Sequence, residues 1–253
     1  MLVPFIVNAN FESFTPHLSI CQPNPEKSYT NQYHKHIPSG FCYHIKCFDD
    51  TLYSQQPVTF VKEFNDDDVA QIFMDTLENN IKDIYKKFKF PKKMLMARHD
   101  KLVYDNSTNC HICNEELGED RVLNHCHLSG KFRRAAHEVC NLKYKVPTFF
   151  PVVFHNLSGY DSHLFIKTFE NSEGDISCIP NNEENYICFT KQVIVVEFIN
   201  KEGRKVNVKR ELRFIDSLRF MASSLDKLSS NLKINQCLNL KKYYSNNQLR
   251  LLL

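Results

Sequence analysis

The sequence predicts a mixed α/β domain of the α+β kind, with a small Cys- and His-rich module inserted into it. Three observations predict this fold class. Strand-like runs and one amphipathic helix occupy residues 1–99, Cys, His and basic residues replace them over 100–147, and strand-like runs resume in 148–253. A chain of 253 residues with 42% hydrophobic content can bury one large core and carry a small module besides. We therefore expect residues 1–99 and 148–253 to form one domain around a mixed sheet, and 100–147 to be an insertion.

The first half of the large domain reads as three strands and a helix. Apolar or alternating residues predict strands at 3–11, 40–48 and 57–64. Asn65-Asp66-Asp67-Asp68 supplies an N-cap and acidic residues for a first helical turn. Apolar residues then recur at helical spacing, which predicts an amphipathic helix over 67–88.

The second half alternates again between strands and helices. The apolar run 149–154 predicts a buried strand, and the turn residues Asn200-Lys201-Glu202-Gly203 predict a hairpin. The other predicted elements are a helix at 160–170, strands at 186–190, 192–199 and 205–215, and a helix at 222–235. Three strands followed by a helix, a strand and a helix is similar to the order of the ribonuclease H-like architecture. Because the chain stops inside an apolar helical pattern at 247–253, we expect it to be a fragment of a longer protein.

Charge and cysteine content limit the possible partners and compartments. The net charge is only +3, but basic residues concentrate at 121–145 and 201–213. Such patches suit a phosphate backbone, although a solvated hairpin or loop explains the second patch equally well. No signal peptide and no apolar stretch of roughly 20 residues is visible, so we expect no membrane association and no secretion. The ten cysteines are then those of an intracellular protein, nuclear or cytoplasmic, and are reduced or metal-bound.

Two pairs of Cys and His residues predict a structural zinc site. Cys110 and Cys113 form one pair, His137 and Cys140 the other, and each pair has two residues between its members. This spacing lets both side chains of a pair reach one tetrahedral zinc ion, as in treble-clef modules. A short segment with few apolar residues needs such a staple to fold. The fourth ligand is less certain from the sequence, because His111, Cys126 and His127 are possible substitutes.

The residues between and after these pairs resemble the recombination endonuclease VII group of HNH-type nucleases. The resemblance is carried by 123–128, by Gly130-Lys131-Phe132-Arg133 and by Asn141. It implies a magnesium site at Asn124 and Asn141, His127 as a general base, and DNA contacts by Lys131, Arg133 and Arg134. Asn124 stands where the family has an Asp, and His137 where it usually has a Cys. Since Mg²⁺ prefers charged oxygen ligands, we expect a degenerate magnesium site and a structural or DNA-contacting module.

Two further motifs resemble the 3′-5′ exonuclease region of protein-primed family B DNA polymerases. Residues 4–13 are similar to the first exonuclease motif, an Asp-x-Glu, and 154–161 to the second; the segment 214–220 resembles one found downstream. With the inserted module, the order is similar to that of polymerases of Maverick/Polinton-type mobile elements. The resemblance implies two Mg²⁺ ions held by carboxylates, here Glu12 and Asp161, and a DNA strand end gripped by Asn156 and Tyr160.

This copy departs from the exonuclease pattern in two ways. Asn10 replaces the first Asp, and the third motif is not found, because Tyr243 and Tyr244 have no Asp at the matching offset. We therefore expect a DNA-binding polymerase fragment with impaired cleavage and a weak or absent Mg²⁺ site. Its partners would be DNA and the remaining polymerase polypeptide or a terminal protein. The alternatives are an active endonuclease of the endonuclease VII type and a non-enzymatic interaction domain; a metal-dependent digestion assay separates them.

Overall fold

A seven-stranded mixed sheet organises the chain in its computed structural model, which describes residues 3–17, 34–63, 68–171, 174–180 and 186–233. A two-stranded sheet lies apart from it in the inserted region. The strands are β1 (Phe5–Phe14), β2 (Ile37–Cys47), β3 (Val58–Val61), β4 (Arg121–His125), β5 (Phe132–His137), β6 (Phe149–Phe154), β7 (Ile176–Pro180), β8 (Tyr186–Ile199) and β9 (Lys205–Asp216).

Five α-helices accompany these strands in the described part of the chain. They are α1 (Val69–Phe88), α2 (Arg98–Asp105), α3 (Glu138–Lys143), α4 (Ser162–Phe165) and α5 (Leu225–Ser230). The long helix α1 begins where the carboxylate of Asp68 accepts a hydrogen bond from the backbone N–H of Gln71, at 3.1 Å. No helix among the described residues is long and apolar enough to cross a membrane.

The large sheet has the order β3-β2-β1-β6-β9-β8-β7. Antiparallel pairs form both flanks, while β6 at the centre runs parallel to β1 on one side and to β9 on the other. Because parallel neighbours end at the same edge, the chain segments that follow β6 and β9 meet there, beside the last residues of β1. This edge positions the first candidate site.

Aromatic rings fill the core between the sheet and α1. Phe73 and Phe165 are fully buried, and each contacts the rings of both Phe11 and Phe154. Phe165 also packs on Phe214, so the core continues from β1 across to β9. Such rings bury large apolar areas and supply much of the stabilising free energy of the fold. The core therefore fixes the relative positions of the three strands that carry the site.

Several predicted elements are confirmed and others are shorter or merged. The strands at the start of the chain, the helix over 67–88, the strand at 149–154 and the hairpin are present, with bounds shifted by up to a few residues; 64–67 lie outside the described residues. The strands predicted at 186–190 and 192–199 are present but form one continuous strand, β8, and the strand predicted at 205–215 is β9. Of the helix predicted at 222–235, the described residues up to 233 form only α5, whose N-cap is Ser224. The segment 247–253 lies outside the described residues.

The predicted helix at 160–170 is broken into three short turns. A π-helical turn covers Leu157–Asp161, α4 follows, and a 3₁₀ turn covers Ile166–Asn171. The reason is local, because Asn156 adopts a left-handed backbone with φ 72° and the carboxylate of Asp216 binds the N–H groups of Asn156 and Ser158. Strand β7, whose residues are all exposed, was not predicted because it lacks an alternating apolar pattern.

The inserted region docks onto the sheet domain through the segment 91–97, here called the strap. The backbone N–H of Lys92 donates to the carbonyl of His127 at 2.8 Å, and that of Leu95 donates to Gly130 at 2.7 Å. Gly130 has φ 79°, and a Cβ there would come within 2.5 Å of the carbonyl oxygen of Lys93. Only glycine can therefore bring this turn so close to the strap.

Candidate functional site

The first candidate site lies at the sheet edge where β1, β6 and β9 end, and is here called the edge cleft. Three carboxylates gather there: Glu12 on β1, Asp161 in the turn after β6, and Asp216 at the end of β9. Glu12 is exposed, whereas Asp161 and Asp216 are only 2% and 3% exposed. The parallel arrangement of the strands thus brings Glu12 and Asp161, which lie far apart in the sequence, into one site.

Asp161 is held against β1 by a single backbone contact. Its Oδ1 accepts a hydrogen bond from the N–H of Phe11 at 3.0 Å. Burial, followed by the negative charges of Asp216 and Glu12, raises the pKa of Asp161 to about 6. A cation beside Asp161 would oppose this shift, because it would stabilise the ionised carboxylate.

Asp216 has the opposite character. Its two carboxylate oxygens accept hydrogen bonds from the N–H groups of Asn156, Ser158 and Leu218 and from the hydroxyl of Ser158, at 2.9–3.0 Å. Burial raises its pKa, but these donors outweigh burial and lower the pKa overall. With its lone pairs engaged in this way, Asp216 shapes the turn after β6 and is not free to bind an ion.

Asn10 and Glu12 lie together on the exposed face of β1. The amide nitrogen Nδ2 of Asn10 donates to Oε1 of Glu12 at 3.1 Å and to the carbonyl of Phe11 at 3.2 Å. An N–H therefore points at the carboxylate oxygen that a metal ion would need. The edge cleft offers only the carboxylates of Glu12 and Asp161, and the amide of Asn10 occupies one oxygen of Glu12, so this donor set does not fit two divalent ions.

Tyr160 joins a small polar cluster at the mouth of the edge cleft. Its hydroxyl lies 2.5 Å from Oγ of Ser13 and 3.2 Å from Nδ1 of His36. The imidazole of His36 packs edge-on against the Tyr160 ring, with ring centroids 5.4 Å apart. Asn156 lies deeper, and a Cβ on Gly159 would come within 2.4 Å of its Oδ1. The structure thus places Asn156 and Tyr160 in the turn that carries Asp161.

The second candidate site is a cluster of three cysteines and one histidine in the inserted module. The ligand atoms of Cys110, Cys113, His137 and Cys140 all lie within 4.8 Å of one another, so these four residues could hold a metal ion such as zinc. Nδ1 of His137 is 3.4 Å from Sγ of Cys113 and 3.9 Å from Sγ of Cys140. The usual bond lengths to tetrahedral zinc give ligand separations of about 3.6 Å, which these distances bracket.

The pKa shifts within the cluster run in different directions. Hydrogen bonds with the Glu116 backbone and with Cys113 raise the pKa of His137 to about 9, and burial raises that of Cys140 to about 11. Nε2 of His137 lies 2.9 Å from the carbonyl oxygen of Glu116, which leaves Nδ1 to face the thiols. Burial raises the pKa of Cys110, but the N–H groups of Cys113, His137 and Ile112 outweigh it and lower the pKa to about 6. The predicted substitute ligands His111, Cys126 and His127 do not belong to the cluster within the described residues. The cluster therefore consists of the two predicted pairs, Cys110 with Cys113 and His137 with Cys140.

The residues of the predicted magnesium site also meet, but they bind each other. Nδ2 of Asn124 donates to Oδ1 of Asn141 at 2.6 Å. Burial lowers the pKa of neighbouring His111, and a side-chain hydrogen bond with the buried Asn124 opposes this shift. The amide N–H of Asn124 points at the Asn141 oxygen and neither residue carries a charge, so this donor pair does not fit Mg²⁺. Burial, then the charges of His125 and Arg133, lowers the pKa of His127.

The three predicted DNA-contacting cations have different surroundings. Lys131 forms an ion pair with Asp49 of the sheet domain, with Nζ and Oδ2 3.1 Å apart. Arg133 stacks on the ring of Tyr144, with Cζ 4.8 Å from the ring centroid, and Arg134 is exposed. Lys131 is thus partly neutralised, whereas Arg133 is held rigidly on an aromatic surface.

Two residues at the edge cleft were missed by sequence reasoning about the site. Asp216 was noted only as part of a downstream segment, and its position after a strand-like run was the available signal. His36 lies before β2 and carries no motif, so only the antiparallel pairing of β1 with β2 brings it to Ser13 and Tyr160. Comparisons of the chain with protein families, with curated proteins and with solved structures find no match.

Proposed function

We propose that the chain is the exonuclease region of a protein-primed, family B-like DNA polymerase, with an endonuclease VII-like zinc module inserted, and that it binds DNA while cleaving it poorly. The single observation that carries this proposal is the meeting of Glu12 and Asp161 at the edge cleft. Asp161 bonds the backbone of β1 one residue before Glu12, and Glu12 raises its pKa. Carboxylates that converge at the end of parallel strands are typical of metal-dependent nucleases.

The sheet topology supports a ribonuclease H-like assignment. Strands β1, β2 and β3 form an antiparallel meander, and α1 follows them. After the insertion, β6 returns to pair in parallel with β1. This is the strand order and direction that the exonuclease resemblance implies. The Cys110–Cys140 cluster supports the zinc-module assignment in the same way, since both pairs of the knuckle motif converge.

The proposal of impaired cleavage rests on the amides. At the edge cleft Asn10 donates to Glu12, and in the module Asn124 donates to Asn141. Each contact satisfies an oxygen that a Mg²⁺ ion would otherwise bind. Two-metal hydrolysis needs several carboxylates in one place. The edge cleft has Asn10 in place of one and no recognised third motif, and the module has Asn124 in place of another. DNA binding needs none of them, because phosphate contacts and stacking suffice.

The decisive experiment restores the missing carboxylate. We expect Asn10→Asp to bind Mn²⁺, a spectroscopic substitute for Mg²⁺, at least about tenfold more tightly than the unchanged chain, because a charged ligand replaces an N–H donor. Electron paramagnetic resonance of free Mn²⁺ measures this binding. The same variant should degrade a 3′-labelled single strand in Mg²⁺, and the double variant with Asp161→Ala should not.

Four outcomes would contradict the proposal. If Asn10→Asp changes neither Mn²⁺ affinity nor cleavage, the edge cleft is not an exonuclease centre. If the unchanged chain digests single strands in Mg²⁺ and Asp161→Ala abolishes this, the centre is intact and not impaired. If it cuts branched DNA and His127→Ala abolishes the cut, the module is an active endonuclease instead. Absence of salt-dependent DNA binding would favour an interaction domain without nucleic acid.

A further inference from the structure

A groove separates the inserted module from the sheet domain, and no residue of the edge cleft lines it. Its volume is about 640 Å³. Helix α1 and β9 form one wall, and the open face of the module forms the other. Tyr85, Lys89 and Arg210 line the first wall, and Arg133, Tyr144 and Lys145 the second. A groove of this size is in the range that small ligands fill.

The groove is strongly basic. Lys89, Arg133, Lys145 and Arg210 line it, and among the described residues no Asp or Glu does. Field lines concentrate in a cleft whose walls carry one sign of charge, which raises the local concentration of anions. The ligand that this charge selects is therefore anionic.

Two of these cations are fixed on aromatic rings. Cζ of Arg133 lies 4.8 Å from the centroid of the Tyr144 ring, and Cζ of Arg210 lies 4.7 Å from that of Tyr85. Stacking orients each guanidinium before a ligand arrives, so little side-chain entropy is lost on binding. Both tyrosine rings are half-buried. Arginine side chains next to aromatic rings can bind the phosphate and the base of a nucleotide together.

We infer that this groove binds an unpaired nucleotide without a metal ion, with the phosphate on the arginine and lysine side chains and the base against the aromatic rings. The nucleotide comes either free or as part of a single strand. The bases of a duplex are stacked on one another and are not free to contact these rings. This inference deepens the proposed function and rests on it, because Arg133 of the inserted module lines the groove. It needs neither Glu12 and Asp161 nor any cleavage.

The test measures binding to the zinc-loaded full chain in EDTA-free buffer without Mg²⁺. The probes are fluorescein-labelled octadeoxyadenylate, a 20-base-pair duplex and, by calorimetry, dAMP. We expect Arg210→Gln and Arg133→Gln each to weaken octadeoxyadenylate binding by about tenfold, as for lost hydrogen bonds to a charged group. Using one variant from each wall guards against loss of folding, since Arg133 also donates to the carbonyl of His125 at 3.3 Å.

Matched controls separate this site from the others. Lys101→Gln removes an exposed cation of the module that is paired with Asp105 and does not line the groove, so it should leave binding unchanged. Tyr160→Phe alters the edge cleft and not the groove. Loss of binding in Tyr160→Phe, with none in the two arginine variants, would place the strand at the edge cleft, which overturns this inference and supports the proposed function. Binding of dAMP as tight as that of the octamer supports a free nucleotide, and tighter binding of the octamer supports a strand. Unchanged affinity in Arg210→Gln, or equal affinity for the duplex, overturns the inference.

Discussion

At the scale of single residues, an asparagine amide donates to a side-chain oxygen in both candidate sites. Asn10 donates to Glu12, and Asn124 donates to Asn141. A donated N–H stabilises the oxygen opposite without any ion. These two contacts therefore keep their geometry without a divalent cation.

At the edge cleft, ionisation of the buried Asp161 lowers the free energy of unfolding. Its pKa is about 6 in the folded chain, against an ordinary 3.8. A carboxyl group whose pKa is raised by folding stabilises the folded chain at pH values below the pKa that the group has in the unfolded chain. This stability is lost as the pH rises through the folded-state pKa of about 6. We expect Asp161→Asn to raise the free energy of unfolding at pH 8 by about 3 kcal/mol, since one pKa unit corresponds to about 1.36 kcal/mol. Urea denaturation at pH 4 and pH 8 measures it.

Asp216→Asn is the matched control for this prediction. Asp216 lies at the same sheet edge with the same low exposure, but its pKa is lowered by the surrounding donors. A carboxyl group whose pKa is lowered by folding stabilises the folded chain at pH values above its pKa in the unfolded chain. This stability is lost as the pH falls through its pKa in the folded chain. The control should therefore destabilise the chain at pH 8. If both variants shift stability in the same direction, the assignment of opposite roles to these carboxylates is wrong.

At the scale of elements, the β4–β5 hairpin depends on the Cys/His cluster. Its buried side chains are small, with Ala135 and Ala136 fully buried, so apolar burial alone supplies little stability. His137 at the end of β5 and Cys140 in α3 join the hairpin to the knuckle at Cys110 and Cys113. A metal ion there would act as the core of the module.

We expect Cys113→Ser, or removal of metal by a chelator, to abolish amide protection in the β4–β5 hairpin while the large sheet stays protected. Hydrogen exchange with mass spectrometry resolves the two regions. Cys178→Ser changes another exposed cysteine, one outside the cluster, and should leave both regions unchanged. A hairpin that stays protected in Cys113→Ser would mean that the cluster holds no structural metal.

The sequence predicted those elements whose pattern is local. Helix α1 and strand β6 carry their own apolar periodicity, and the two knuckle pairs have fixed spacing, so all were found. The turn after β6 was predicted as a helix because its apolar residues have helical spacing, while the carboxylate that breaks it comes from β9. His36 could not be found either, since its neighbours at the cleft are brought by strand pairing. Hydrogen bonds between residues far apart in the sequence do not alter the apolar periodicity of a short segment, so such a segment cannot reveal them.

At the scale of the whole molecule, the strap at 91–97 couples the module to the sheet domain, and Gly130 makes the coupling possible. We expect Gly130→Ala to lower stability by about 1–3 kcal/mol or more, because its φ of 79° is strained for alanine and its Cβ would strike the Lys93 carbonyl. Limited proteolysis of the strap measures the loosened docking.

Gly203→Ala isolates the two causes. Gly203 has a similar φ of 74° in the β8–β9 hairpin, but nothing lies within 4 Å of a Cβ placed there. Gly203→Ala should lower the free energy of unfolding through backbone strain alone and leave the strap resistant to protease. Equal protease sensitivity in the two variants would show that the close approach at Gly130 does not hold the module.

The parallel pairing of β1 with β6 also has a consequence for how fast the chain folds. Val7 pairs with Val152, so the central contact of the sheet closes only after the whole intervening chain, module included, has been gathered. The flanking antiparallel pairs, β8 with β9 above all, join residues close in sequence and can form earlier. If the module has already folded around a metal ion, less unfolded chain lies between β1 and β6 when the two strands pair. The loop-closure entropy cost is then smaller, although it changes only slowly with loop length. Metal supply during synthesis would then act mainly on the rate at which the sheet closes, which stopped-flow refolding with and without zinc would report.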